Sequence, residues 1–366
     1  MTTPIRYDST DSGAPQITAN NPASVLTVLK TCLVGSGTAY GSKAKMGWIN
    51  AYEDAPNNRL ALQQPAGNGF YIRFGEPNVY SAGSVWGRRY FCVRGYETMS
   101  DVNTGTNAFP TSAQVALTSG TWSWAVHANS GTSVTQTIPW TIYADDRFFY
   151  ITFRANLNGS SGYGCTCTYF FGDFVPLLQV DAYNTAIYLN TDIANIGNRY
   201  DNPVVDTGNA IPTNAPTYGY YFKPFYTPRS SNDSTGGIVT PGLYVARGFN
   251  QSAGSVNLGM QSDYYSGSGA NWGAGEQYIS MNFPGADSTM FVTSAVINEY
   301  SSGTFTLRGK LPGFWIPAQA RPTTDGSSYA GSGDFAGKTL VTLANFQSSY
   351  DTNSFCVYIQ LNDWRV

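Results

Sequence analysis

Few stretches of this chain carry residue types capable of catalysis or ligand binding, and each lacks a position its chemistry requires. Gly331-Ser332-Gly333-Asp334-Phe335-Ala336-Gly337-Lys338-Thr339 ends like a phosphate-cradling loop, but the glycine needed five residues before Gly337 is Ser332. It reads as a Gly-rich turn before a strand. Asp101-Val102-Asn103-Thr104-Gly105 alternates oxygen donors as a calcium loop does. The ligand, glycine and glutamate that should follow are Gly105, Thr106 and Ser112, so a turn is the simpler reading. His127 is the sole histidine, with no nucleophile elbow anywhere in the chain to serve. A two-carboxylate glycosidase needs only two acids at the right separation. Glu97, Asp101, Asp173 and Asp181 are candidates that spacing does not rank. No catalytic residue, cofactor or metal is expected.

Aromatic side chains offer a different chemistry, stacking. Tyr220-Tyr221-Phe222, Tyr264-Tyr265 and Trp272 stand among Gly and Ser, where they could face a sugar or a neighbouring protein. Composition favours protein contact. Only 12% of the 366 residues are charged, against 39 glycines and 26 tyrosines, where an ordinary domain carries roughly 25% charge. A surface of Ser, Thr, Asn, Gln and Tyr can be buried with little ion desolvation. A net charge of −3 leaves no basic track for nucleic acid, and no run reaches the roughly 18 apolar residues of a membrane span. The five scattered cysteines, Cys32, Cys92, Cys165, Cys167 and Cys356, form no disulfide framework and read as free thiols of a protein made in the cytoplasm.

The elements that must position these residues are nearly all β. The exception lies at residues 22–34, where Asn21 is placed to cap, Pro22 suits the first turn, and Val25, Val28, Leu29, Cys32 and Leu33 recur at three and four before Gly35. Elsewhere short aromatic or β-branched runs sit between turn residues, among them 70–74, 89–94, 122–126, 147–153, 165–170, 243–247, 278–282, 304–308, 339–343 and 355–359. Two shorter runs, 290–293 and 296–297, sit close together. Asp145-Asp146 reads as a hairpin turn. Several runs are apolar on both faces, which predicts strands sandwiched between layers. The expected fold is all-β, sandwich- or jelly-roll-like and mainly antiparallel, with one short helix and long loops.

Four regions are expected: an extended arm (1–20), a helix plus β-rich region (21–185), an irregular Pro-rich connector (186–240) and a second β-rich region (241–366) that could share its core with the first. The arm is polar, and residues 1 to about 16 are expected to be stabilised chiefly by other chains. That makes Arg6 and Tyr7 contact candidates beside the six aromatics above.

Several segments together resemble a family of structural proteins of tailed bacteriophages. They are Arg6 to Pro15, Tyr40 to Lys43 with Gly47-Trp48, Val93 to Gly105, Phe109-Pro110, Phe171 to Phe174, Leu307 to Trp315 and Gly333 to Lys338. They follow the family's order across most of the chain. Ser/Gly-rich insertions at 156–164, 190–240 and 260–275 depart from it. The resemblance implies a non-enzymatic virion component whose partners are other virion proteins and copies of itself. Neck, baseplate or fibre attachment is favoured over capsid decoration, and a tail adhesin or depolymerase acting on a host surface glycan is the competing class.

Overall fold

The runs that are apolar on both faces find apolar partners on both faces. The computed structural model describes residues 4–18, 21–75, 90–111, 123–125, 137–156, 164–177, 181–191, 243–261, 292–301, 304–317, 326–345 and 355–362. The fold is all-β and antiparallel with one α-helix, as the strand runs predict.

The first strand, β1 (Ile5–Asp8), belongs to the largest sheet. Helix α1 (Pro22–Leu33) follows, burying Val25, Leu26, Val28, Leu29, Cys32 and Leu33. Its start departs from expectation, because the Asn21 side chain makes no cap. Ser24 instead ties the helix to the chain before it: its Oγ accepts from the Thr18 amide at 3.1 Å and donates to the Asn21 carbonyl at 2.6 Å. At the other end Val34 is already extended, and the carbonyls of Cys32 and Leu33 accept from the amides of Met46 and Trp48.

A five-stranded sheet comes next in the chain. Its strands are β2 (Ile49–Asp54), β3 (Arg59–Gln63), β4 (Tyr71–Gly75), β5 (Tyr90–Tyr96) and β6 (Ser123–Ala125), ordered β6-β5-β4-β3-β2. The large sheet then continues as a meander through β7 (Trp140–Ala144), β8 (Phe148–Asn156) and β9 (Gly164–Asp173). After the two-residue β10 (Val175–Pro176) come β11 (Thr185–Thr191), β12 (Leu243–Arg247), β13 (Ala253–Gln261), β14 (Val292–Ser301) and β15 (Thr304–Pro317). It ends in β16 (Ser328–Ala330), β17 (Thr339–Asn345) and β18 (Phe355–Gln360), joined in the order β15-β18-β17-β16.

Alternation along β8 sets the layering. Phe149, Ile151 and Phe153 pack with α1 and with Leu60, Leu62, Ile72, Phe74 and Val93 of the smaller sheet. Phe148 and Tyr150 point the other way, into a core with Leu243, Leu258, Ile297, Leu311, Phe314, Val341 and Ile359. The large sheet therefore folds over itself, and the two β-rich regions share one core. The seam closes where Val175 and Pro176 pair with Lys310 and Gly309 of β15. At this seam a Cβ on Gly309 would lie 2.4 Å from both the Phe174 ring and the Val175 carbonyl, so only glycine lets the strands meet.

Two expectations are corrected. Residues 5–8 and 17–18 are not an arm lying on another chain: β1 pairs with β7, residues 17–18 pair with 137–138, and Tyr7 and Ile17 are wholly buried. The connector expected from 186 begins as a regular strand, β11, in the middle of the large sheet. Residues 292–293 and 296–297 lie in one strand, β14, bent by register shifts, and residues 290–291 lie outside the described residues. The expected strand at 278–282 lies outside the described residues. Asp145 and Asp146 do occupy the β7–β8 turn, where Asp145 Oδ1 accepts from the amides of Arg147 and Phe148.

Candidate functional site

The densest buried polar cluster is assembled from five separate parts of the chain around Arg308. This guanidinium sits mid-strand in β15 with no solvent exposure. Its Nε and Nη2 donate to Asp181 Oδ2 and Oδ1, each at 2.8 Å, in a bidentate pair. Nη1 donates to Glu299 Oε2 at 3.1 Å and to the Arg247 carbonyl at 2.9 Å, and Nη2 also reaches the Tyr183 carbonyl at 3.0 Å. All five donors of the guanidinium are thereby used. The Phe174 ring centroid lies 5.6 Å from Cζ, adding a cation–π contact.

A second, shallower layer continues from the first. Arg247 stacks over Tyr183 at 4.8 Å and donates to both carboxylate oxygens of Glu97, which also accepts from Asn107. Burial would raise the Glu97 carboxyl, but the bonds from Arg247 and Asn107 outweigh it and hold its pKa below the usual glutamate value. The Phe249 amide donates to Glu299 at 2.9 Å. The acids here are held by fixed donors, which suits them to joining strands.

The four carboxylates considered for acid–base work are thus dispersed among different duties. Asp181 belongs to Arg308 and Glu97 to Arg247. Asp173, buried, accepts from Gln64 at 3.0 Å and Thr185 at 2.7 Å, tying the smaller sheet's β3–β4 loop to β11. Asp101 caps its own turn by accepting from the Asn103 amide at 2.7 Å, as a turn residue would. Among the described residues no group of three or more His, Cys, Asp or Glu is placed to hold a metal. The loop that resembles a phosphate cradle is a tight turn, closed by the Gly331 amide on the Lys338 carbonyl, with Phe335 packed edge-on to Trp315 at 4.7 Å.

Of the contact candidates, Tyr7 is corrected. Its ring is buried and its hydroxyl donates to the Ala44 carbonyl at 2.5 Å, so it cannot reach another chain. Arg6 is half-buried, paired with Asp8 at 3.0 Å. Tyr220, Tyr221, Phe222, Tyr264, Tyr265 and Trp272 lie outside the described residues, as does His127.

No family model and no curated protein matches this sequence significantly.

The structure does bring the segments quoted for the phage resemblance against one another. Trp48 packs on Phe171, their ring centroids 5.9 Å apart. Gly95 and Phe109 exchange backbone hydrogen bonds at 2.9 Å in both directions. Asp8 and Asp11 bond Tyr40 and Lys43; Gly309 lies on Phe174; Trp315 meets Phe335. Arg308, Glu299, Arg247 and Tyr183 were not singled out from sequence as a site. The one signal is an arginine inside a β run, following Phe305 and Leu307.

Proposed function

We propose that this chain is a non-enzymatic structural subunit of a tailed-phage particle, on the tail side at the neck, baseplate or fibre attachment. It works by contact with other virion proteins and with copies of itself. The observation that supports this reading is that the segments quoted for the resemblance meet one another at packing joints. Packing joints between distant segments serve rigidity, and a rigid, weakly charged subunit suits a repeating assembly, because small contacts add by avidity. The saturated Arg308 network supports the same reading, since its acids are committed to internal donors.

Protein mass spectrometry and labelled-antibody electron microscopy of purified particles test the proposal. The expected result is several copies per particle, with label on the tail. Label confined to the head would move the assignment to capsid decoration, and absence from clean particles would end the structural reading. A glycan array with a reducing-sugar release assay covers the competing class: binding without release marks an adhesin, and release marks a depolymerase.

A further inference from the structure

Among the described residues the large sheet ends at β1, and an unguarded sheet end is a template for another strand. Register shows which backbone groups face out. Tyr7 pairs with Ile142 and the Ser9 amide donates to the Trp140 carbonyl, so the odd-numbered positions face β7. The backbone groups of Arg6 and Asp8 therefore point away from the sheet.

Side chains from two other segments occupy those outward groups. Lys43 Nζ donates to the Arg6 carbonyl at 2.7 Å. The Asp8 amide donates to Asp11 Oδ2 at 2.8 Å and to the Tyr40 hydroxyl at 3.1 Å. The Asp8 carbonyl accepts from the Asp11 amide at 3.1 Å. Lys43 and Asp11 are themselves ion-paired, and the ammonium lies 5.8 Å from the Tyr40 ring centroid and 6.0 Å from that of Tyr7.

We infer that Lys43, Asp11 and Tyr40 form a plug that holds the β1 edge closed against antiparallel pairing with a second copy of this chain. The second copy is the favoured occupant because the edge is self-complementary. Antiparallel pairing about a two-fold axis at Tyr7 sets each copy's Arg6 opposite the other's Asp8, with their outward backbone groups matched and their charges opposed. In the intact chain the Arg6 carbonyl and both the amide and the carbonyl of Asp8 are spent internally. Any contact between copies then uses other surfaces, and the sheet does not run on from one copy to the next at this end. The inference stands on β1 geometry alone and holds whether or not the particle reading does.

Sedimentation velocity of the full-length chain over a range of concentrations tests it. Lys43→Met keeps the stem against the tyrosines and removes the cap on Arg6; Asp11→Ser with Lys43→Met removes the plug more fully. The expected result is self-association at least about tenfold tighter than in the unsubstituted chain, the scale of one or two freed backbone hydrogen bonds. Adding Arg6→Pro, which deletes an outward N–H without touching the ladder to β7, should abolish that gain. Should the double variant lose its far-UV signal, the Lys43→Met single carries the test. Folded variants that sediment like the unsubstituted chain overturn the inference, and so does association that Arg6→Pro leaves intact.

Discussion

Two clusters of charge in this molecule use the same residue types at different depths. Around Arg308, one guanidinium and two carboxylates are almost wholly removed from solvent, with side-chain exposures of 0%, 3% and 8%. Around β1, Arg6, Asp8, Asp11 and Lys43 keep between 14% and 30% of their surface in water. Depth changes what the pairs are for. Buried ions gain much from one another only because leaving water costs so much, so the net gain over an apolar core is small while the penalty for breaking the set is large. Shallow ions lose less and gain less, and they are suited to occupying backbone groups that would otherwise be offered to a neighbour.

The comparison breaks first, and hardest, at Arg308. Arg308→Met leaves Asp181 and Glu299 buried without their cation and should cost about 3–5 kcal/mol in a urea unfolding experiment. A triple replacement, Arg308→Met with Asp181→Leu and Glu299→Leu, should recover most of that loss. If the triple variant is as unstable as the single, the network contributes more than charge compensation, and the strands need its specific geometry.

Acid should sharpen the contrast at the shallow cluster. Burial pushes the Asp8 and Asp11 carboxyls up, but hydrogen bonds from Thr10 and Arg6 to Asp8, and from Lys43, the Asp8 amide and Tyr40 to Asp11, hold both below the usual aspartate value. A carboxyl whose pKa falls on folding stabilises fully above its unfolded pKa, near 3.9, and loses that contribution as pH drops through the lower folded value. Asp11→Asn should therefore flatten the fall in stability below about pH 4 by roughly 0.5–1 kcal/mol. Urea midpoints of both chains from pH 6 to pH 2.5 measure it. Parallel curves would mean that Lys43 and Tyr40 do not favour the ionised carboxylate.

What was legible in the sequence divides along a similar line, local against long-range. Helix α1 was readable because Pro22 and the three–four spacing of its apolar residues are properties of neighbours. The aromatic strands β8, β9 and β12 were readable for the same reason. Strand β13 was passed over because Ala253-Gly254-Ser255-Val256-Asn257 lacks the β-branched density that marks a strand. It is held by pairing with β12 and β14 on its two sides. β1 looks like part of an arm in sequence because its partner, β7, lies more than 130 residues on and polar neighbours mask Tyr7. Arg308 is visible as a letter in a β run, but its burial depends on Asp181 and Glu299 arriving from elsewhere, and no spacing records that.

A third ion pair, shallower still, gives the smallest effect and the sharpest test of depth as the deciding variable. Lys30 at the end of α1 meets Glu53 of β2 at 2.6 Å, with side-chain exposures of 38% and 27%. That N···O separation is shorter than either ion pair Arg308 makes, and the Glu53 carboxyl is held below its usual value by the bonds from Lys30 and Asn50. If distance governed energy, this contact would rival the buried network. It joins two long side chains that must be ordered to meet, in a setting where water screens them. Lys30→Ala should therefore change stability by no more than about 0.5 kcal/mol, and 0.5 M salt should erase what difference there is. A loss above about 1.5 kcal/mol, persisting in salt, would show that Lys30 fixes α1 against the smaller sheet through its position at the helix terminus, and depth would no longer rank the three clusters.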